Sequence, residues 1–253
     1  MAASWLSREY RDGDEEGIVA LHREVFGSEA DRAWWEWRYL RNPAGRAVIM
    51  VAESNGRIVG QYALVPVRMK VGNEEGLGSL SLDTMVHPDF RGAGMFTKLA
   101  EAAYAAASSR GIRFVYGFPN ANSHHGFASR LGWRDLDQAV PLWAYPLNFK
   151  GVLRKRLGRA GSLAAPPARV GWGMLTRFTR RLRKPCTECS VREITCFDER
   201  FDGLWKRISV RYPIALIRDG AYLNWRYTER PNANYSIFTA EQREQLVGCV
   251  VLR

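Results

Sequence analysis

Apolar residues along this chain switch between two spacings, and the switches mark its elements. Two strand-length runs, Val48 to Ser54 and Arg57 to Met69, meet at Asn55-Gly56, the strongest short hairpin signal. "LGSLSLDTMVH" (77 to 87) predicts a further strand with Asp83 inside it, and "GMFTKLAEAAYAAASS" (94 to 109) an alanine-rich helix that stops at Gly111. "IRFVYGF" (112 to 118) reads as a strand, and "NSHHGFASRLG" (122 to 132) as a short helix with Asn122 or Ser123 as N-cap and Gly132 as its stop. "WRDLDQAVPLWAYPL" (133 to 147) returns as a strand. The order β, α, α, β, β, β, α, β, α, β is a mixed α+β layout, not a βαβ repeat.

Part of this pattern occurs twice. Residues 33 to 64 align with 221 to 252 without a gap, at an offset of 188, with 11 of 32 positions identical. The pairs include Trp37/Trp225, Arg38/Arg226, Tyr39/Tyr227, Pro43/Pro231, Glu53/Glu241 and Gly60/Gly248. A shared composition bias does not hold Trp-Arg-Tyr-x3-Pro and Val-Gly in one register, so the reading is an internal duplication. Each copy predicts an aromatic-rich helix ending ahead of its proline, then two strands. The second copy reaches Arg253 just after its second strand, which suggests a truncated sequence or a partial unit that completes the first. The repetition of Trp34, Trp35 and Trp37 as Tyr222, Leu223 and Trp225 favours core packing over an acceptor-pocket role for these side chains.

Composition adds a folded core, with 46% hydrophobic residues in 253. No stretch reaches the ~18 apolar residues of a membrane span and the N-terminus has no leader pattern, so a cytoplasmic chain is the expectation. Of the four cysteines only Cys186 and Cys189 have a metal-like spacing, and without a second pair they read as free thiols; no metal is expected. The net charge of +11 is local: Lys150 to Arg192 holds 12 basic residues and one acid, Glu188, and the remainder balances at 25 against 25.

The stretch Arg91-Gly92-Ala93-Gly94 joins a strand to a helix, so successive backbone N–H groups and a positive helix end converge there beside a guanidinium. Taken alone, the turn is equally an anion site or a flexible reversal. The dinucleotide fingerprint requires a third glycine at Thr97, and the P-loop requires Gly-Lys-Ser/Thr; neither is present.

Val86-His87-Pro88 followed by Arg91-Gly92-Ala93-Gly94-Met95-Phe96 resembles motif A of the GNAT acyltransferase superfamily, Arg/Gln-x-x-Gly-x-Gly/Ala, with Phe96 at the final small position. "NSHHGFASRLGW" is similar to that family's last helix, and the second copy makes the chain resemble tandem GNAT proteins. The resemblance implies a mixed, mostly antiparallel sheet with splayed central strands flanked by helices, plus a partial second repeat. It suggests a GNAT-like domain over 1–149, a basic linker over 150–190 and the partial repeat over 191–253. It also implies acetyl-CoA as co-substrate and an amine as acceptor, joined by direct attack on the thioester. By the same resemblance Met85 and Val86 hold the pantetheine arm, the amides of Arg91, Gly92, Ala93, Gly94, Met95 and Phe96 hold the pyrophosphate, and Asn122 belongs to the cofactor site.

The catalytic groups are less constrained. The tyrosine that many GNATs carry in the last helix is Ala128 here, so the candidates for proton donor are Tyr116 and the pair His124 and His125, whose alternative is a solvated surface pair. Asp83 is the carboxylate in the cofactor strand: a base, directly or through water, or else a backbone cap or a solvent-facing group. "GWGMLTRFTRRLRKP" (171 to 185) predicts a basic amphipathic helix, either a linker helix packed on one unit or a peripheral contact with an anionic surface. Nucleic-acid binding has no accompanying motif and is not expected. A non-catalytic acyl-CoA-binding or scaffold role is the other class of function, and the oligomeric state is open.

Overall fold

The computed structural model describes residues 4–27, 30–136 and 188–253. Its contacts divide the chain into two compact units, one formed by 1–134 with 190–253 and the other by 135–189. The strand expected over 133–147 is irregular up to Leu136 and then lies outside the described residues, as does the basic helix expected over 171–185.

The first sheet has the order β1 (Leu6–Glu9), β2 (Val48–Ser54), β3 (Arg57–Val71), β4 (Glu74–Val86), β5 (Ile112–Tyr116), antiparallel except for the parallel pair β4/β5. The β2–β3 hairpin turns at Asn55-Gly56, where both residues have positive φ, as the dipeptide requires. Strands β2 and β3 are apolar almost without interruption because both faces are covered. Val48, Met50, Tyr62 and Leu64 meet α3 (Met95–Ser109), and Ile49, Val51, Ala63 and Val65 meet α1 (Glu15–Phe26) and α2 (Arg32–Tyr39). The alanines of α3, Ala100, Ala103 and Ala107, are buried and let this helix lie close to the sheet. Closest is Gly60, where a Cβ would stand 2.4 Å from Met95 Sδ and 3.3 Å from Leu99 Cδ1. Helix α4 (Ala121–Leu131) closes that side through Phe127.

The repeated sequence adopts the same elements in both places. Strands β8 (Ser236–Gln242) and β9 (Gln245–Leu252) are β2 and the start of β3 displaced by 188 residues, and the irregularity between Ala52 and Glu53 recurs between Ala240 and Glu241. Together with β6 (Cys189–Ile194) they form a second sheet, order β6-β8-β9. Helix α5 (Arg200–Ser209) covers it, and α6 (Gly220–Leu223) runs into a π-helical turn, Asn224–Thr228, in the position of α2. Asp31 caps α2 by accepting from Trp34 N, and Asp219 caps α6 by accepting from Tyr222 N, again 188 residues on. The remaining strand, β7 (Ile214–Leu216), pairs with the end of β3 and stitches the second copy to the first sheet.

The two copies meet at Trp37 and Trp225. Their rings stack at 5.2 Å, Trp37 Nε1 donates to the Trp225 carbonyl at 2.6 Å, and Trp225 Nε1 donates to the Trp37 carbonyl at 2.9 Å. Trp35 is likewise fully buried, which bears out core packing for these two side chains. Among the cysteines, Cys196 and Cys249 are free, but Cys189 is in a disulfide, against the free-thiol expectation. Among the described residues no helix is long and apolar enough to cross a membrane, and no group of three or more His, Cys, Asp or Glu side chains could hold a metal ion.

Two stability tests follow from this packing. Trp225→Ala removes both the stack and a bond to a buried carbonyl and should cost about 3–5 kcal/mol, whereas Trp225→Phe, which loses only its own hydrogen bond, should cost about 1–3 kcal/mol in urea denaturation. Gly60→Ala should cost about 1–3 kcal/mol by overpacking. The same change at Gly248, where nothing lies within 4 Å of an added Cβ, should stay within about 0.5 kcal/mol of the parent.

Candidate functional site

Strands β4 and β5 begin as parallel neighbours and then part. Leu77 faces Ile112, Ser79 faces Val115 and Leu80 faces Tyr116, after which β4 continues to Val86 with no β5 residue beside it. The divergence coincides with a bulge on the other edge of β4. Ala63 pairs with Leu82 and Gln61 with Met85, so Asp83 and Thr84 together oppose Tyr62.

Asp83 has φ 47, an unusual conformation for a residue other than glycine. Three neighbours hold it there. Gln61 Nε2 donates to its carbonyl at 3.2 Å, Tyr39 OH donates to Oδ2 at 2.7 Å, and Arg38 Nη2 donates to Oδ1 at 3.3 Å. Arg38 Nε also stands 2.7 Å from Oδ2, an ionic contact without the alignment of a hydrogen bond. Burial and the Asp83 charge push the Tyr39 hydroxyl well above its ordinary range, so it stays a donor. The added residue also brings Leu82 and Met85 to the α1/α2 face, while Val86 packs toward α3.

Beyond Val86 the chain is pinned and then turned. His87 N donates to Val59 O at 2.9 Å. Its ring is buried: Nδ1 accepts from Asp89 N, which places the ring proton on Nε2, 2.7 Å from Glu24 Oε1. A short 3-10 turn, Pro88–Phe90, leads to Arg91, whose N donates to Pro88 O. Gly92 and Gly94 both have positive φ, 82 and 73, which explains why glycine stands at these two positions. Helix α3 starts at Met95, and Lys98 N donates to Gly94 O, so the amides ahead of Lys98 have no carbonyl one turn earlier to bond. Residues 91 to 94 are exposed. Met95 turns inward beneath Gly60, and Phe96 packs edge-on against Phe127 at 5.2 Å and near Tyr62 at 6.0 Å. Its bulk is accommodated opposite Gly126, where a Cβ would lie 3.3 Å from the ring, and the phenylalanine points away from the exposed turn.

The remaining sequence candidates separate. Tyr116 ends the β4/β5 pairing, half-buried; burial pushes its hydroxyl up to about 12, with Tyr222 adding to the rise and Arg218 opposing it. His124 and His125 are exposed on α4, where His125 Nε2 is 3.4 Å from Ser129 Oγ. The cap of α4 is neither Asn122 nor Ser123 but Asn120, whose extended backbone starts the helix earlier and whose Oδ1 accepts from Asn122 N and Ser123 N. Asn122 itself is exposed.

Sequence reasoning missed a hydroxyl network at the point of divergence. Ser81 Oγ donates to Tyr62 OH at 3.2 Å, Tyr62 OH and Tyr104 OH share a bond at 2.8 Å, and Trp133 Nε1 donates to Tyr104 OH at 2.8 Å. Gly117 leaves room for Trp133, whose ring would stand 3.1 Å from an added Cβ. The Arg38–Asp83 pair was missed as well, although the recurrence of Arg38 as Arg226 singled out its position.

Residues 7–135 match the family model of an acetyltransferase (GNAT) domain. No curated protein sequence matches the chain at a significant level. Among solved structures, the chain is similar to a conserved protein of unknown function from Enterococcus faecalis V583, described as a probable N-acyltransferase, at 10% identity and TM-score 0.66 over 99% of this chain and 55% of that one. That likeness is one of fold. Glucosamine-6-phosphate N-acetyltransferase from Arabidopsis thaliana aligns at 21% identity and TM-score 0.45 over 56% of this chain and 98% of its own. A predicted acetyltransferase with acetyl-CoA from Clostridium acetobutylicum aligns at 18% identity and TM-score 0.46 over 55% and 96%. With just over half of its residues inside the family match, the chain belongs to the GNAT acetyltransferase family.

Proposed function

We propose that this protein is an N-acyltransferase that passes the acetyl group of acetyl-CoA to a primary amine by direct attack on the thioester. The observation that carries the reading is the exposed turn at 91 to 94, where two glycines with positive φ present the start of α3 next to the end of β4 that has parted from β5. Acetyl-CoA would supply an activated acyl thioester. Its pyrophosphate suits the amides of Arg91 to Phe96, where a helix start and the Arg91 guanidinium favour negative charge. The inward turn of Phe96 keeps that face open. The pantetheine amides suit the edge of β4 away from β3 at Met85 and Val86, which has no strand partner among the described residues.

Tyr116 is the best placed of the proton-donor candidates. It stands where the strands part, and its hydroxyl, pushed up to about 12 by burial, is protonated at neutral pH, although the same rise makes it a weaker acid than an ordinary tyrosine. Asp83 suits a different task. Both of its carboxylate oxygens are engaged, by Tyr39 and Arg38, and it fixes the bulge. The amine then loses its proton to water.

Calorimetry with acetyl-CoA tests the cofactor assignment. A proline at position 94 cannot adopt φ 73, so Gly94→Pro should weaken binding at least about tenfold while far-UV circular dichroism stays unchanged. A folded parent chain with no affinity for acetyl-CoA would end this reading. Tyr116→Phe should lower kcat by about a hundredfold with the KM for acetyl-CoA unchanged; an unaltered kcat would move the donor role to His124 or His125.

A further inference from the structure

Most arginines of the first copy are matched by acids. Arg8, Arg38, Arg57, Arg68, Arg110 and Arg113 each have a carboxylate within 4.0 Å. Arg218, Arg226 and Arg230 of the second copy have none among the described residues; Arg226 and Arg230 pack on aromatic rings, and Arg218 is exposed. The Arg230 guanidinium lies 5.4 Å over the Trp37 ring and donates from Nη1 to Tyr235 OH at 2.8 Å, while its Nε is buried without a hydrogen-bond partner among the described residues. Arg226 lies 5.5 Å over Tyr227, and Tyr227 packs edge-on against Tyr235 at 5.3 Å. With Arg253, 6.0 Å over Tyr235, three guanidinium groups share one aromatic pair.

The cluster is tied to the first copy through aromatic rings. Tyr222 packs at 5.7 Å on Trp225, which stacks on Trp37. Its hydroxyl is raised by burial and opposed by Arg226 and Arg218, and Tyr222 and Arg218 are the groups whose fields reach Tyr116. Burial and the like charges of Arg226 and Arg253 act together against the Arg230 charge. Cations gathered on aromatic walls without counter-ions repel one another, and a bound anion relieves that repulsion. Guanidinium forks match the oxygens of carboxylate and phosphate in particular.

We propose that the acyl acceptor is an amine carrying an anionic group, carboxylate or phosphate, held by Arg218, Arg226 and Arg230 while its amine faces the cleft at Tyr116. This rests on the acyl-transfer reading above and narrows it: acceptors with several positive charges are repelled by the same cluster. The second copy then serves the first as a specificity wall.

The test uses the full chain and two variants, Arg226→Gln and the exposed Arg218→Ala, whose fold is not at stake. Calorimetry with acetyl-CoA comes first, and all three proteins should bind it alike. Failure of the parent chain to bind would remove the acyl-transfer reading and leave the anion site to be judged separately. Inorganic phosphate is then titrated by tryptophan fluorescence. Saturable binding that weakens at least about tenfold in Arg226→Gln, and measurably in Arg218→Ala, supports the anion site; equal affinity in all three proteins overturns it. Turnover of matched amines identifies the group: phosphoethanolamine against ethanolamine, and β-alanine against β-alaninamide. The anionic member of at least one pair should show a kcat/KM about tenfold higher, with the advantage lost in Arg226→Gln. Equal or better turnover of the neutral members overturns the acceptor assignment.

Discussion

The left-handed backbone at Asp83 is the constraint on which the parting of β4 from β5 depends. Such a conformation costs roughly 1–2 kcal/mol for an L-residue, and it persists because Gln61, Tyr39 and Arg38 bond both the carbonyl and the carboxylate. The extra residue bends β4, and the bend coincides with the loss of pairing to β5 after Leu80. Two of the three anchors come from α2, the helix that also carries Trp37 to the second copy. The opening between the strands and the contact between the copies are thus fixed by neighbouring residues of one short helix.

The same local pattern meets different surroundings in the two copies. In the first, Val59, Tyr62 and Leu64 are sealed beneath α3 and α4, and glycine at position 60 is a packing necessity. In the second, the corresponding Val247, Val250 and Leu252 are exposed, and Gly248 has open space above it. The glycine is common to both copies, but its steric role belongs to one. Likewise Arg38 is absorbed by an ion pair, whereas its counterpart Arg226 lies over an aromatic ring with no acid within 4.0 Å among the described residues.

What could be read from the sequence was local or repetitive. The Asn55-Gly56 hairpin, the alanine-rich helix after Gly94, the glycine turn and the register of the duplication each depend on residues close in the chain or on a constant offset. What could not be read joins distant residues through space. An aspartate within an apolar strand gives no sign of a positive φ until Arg38 and Tyr39 are seen against it, and His87 shows its anchoring role only beside Glu24, 63 residues away. The cap of α4 lies two or three residues ahead of the expected Asn122 or Ser123, because all three side chains are good caps by composition and only the extended backbone of Asn120 distinguishes it. Tyr62, Tyr104 and Trp133 are ordinary apolar choices in sequence and become a hydroxyl chain only when β3, α3 and the segment after α4 converge.

The Trp37–Trp225 contact obeys an exchange rule: each indole N–H finds the other's carbonyl, so swapping the two copies leaves the pattern unchanged. Self-complementary reciprocity of this kind is the hallmark of an isologous two-fold interface between identical subunits. Carried on one polypeptide, such an interface no longer depends on concentration, because the covalent connection supplies the partner at a fixed effective concentration. Duplication thereby frees the two halves from identity. One can keep the complete cleft while the other drifts into a supporting wall, a division of labour that a symmetric pair of identical chains cannot encode.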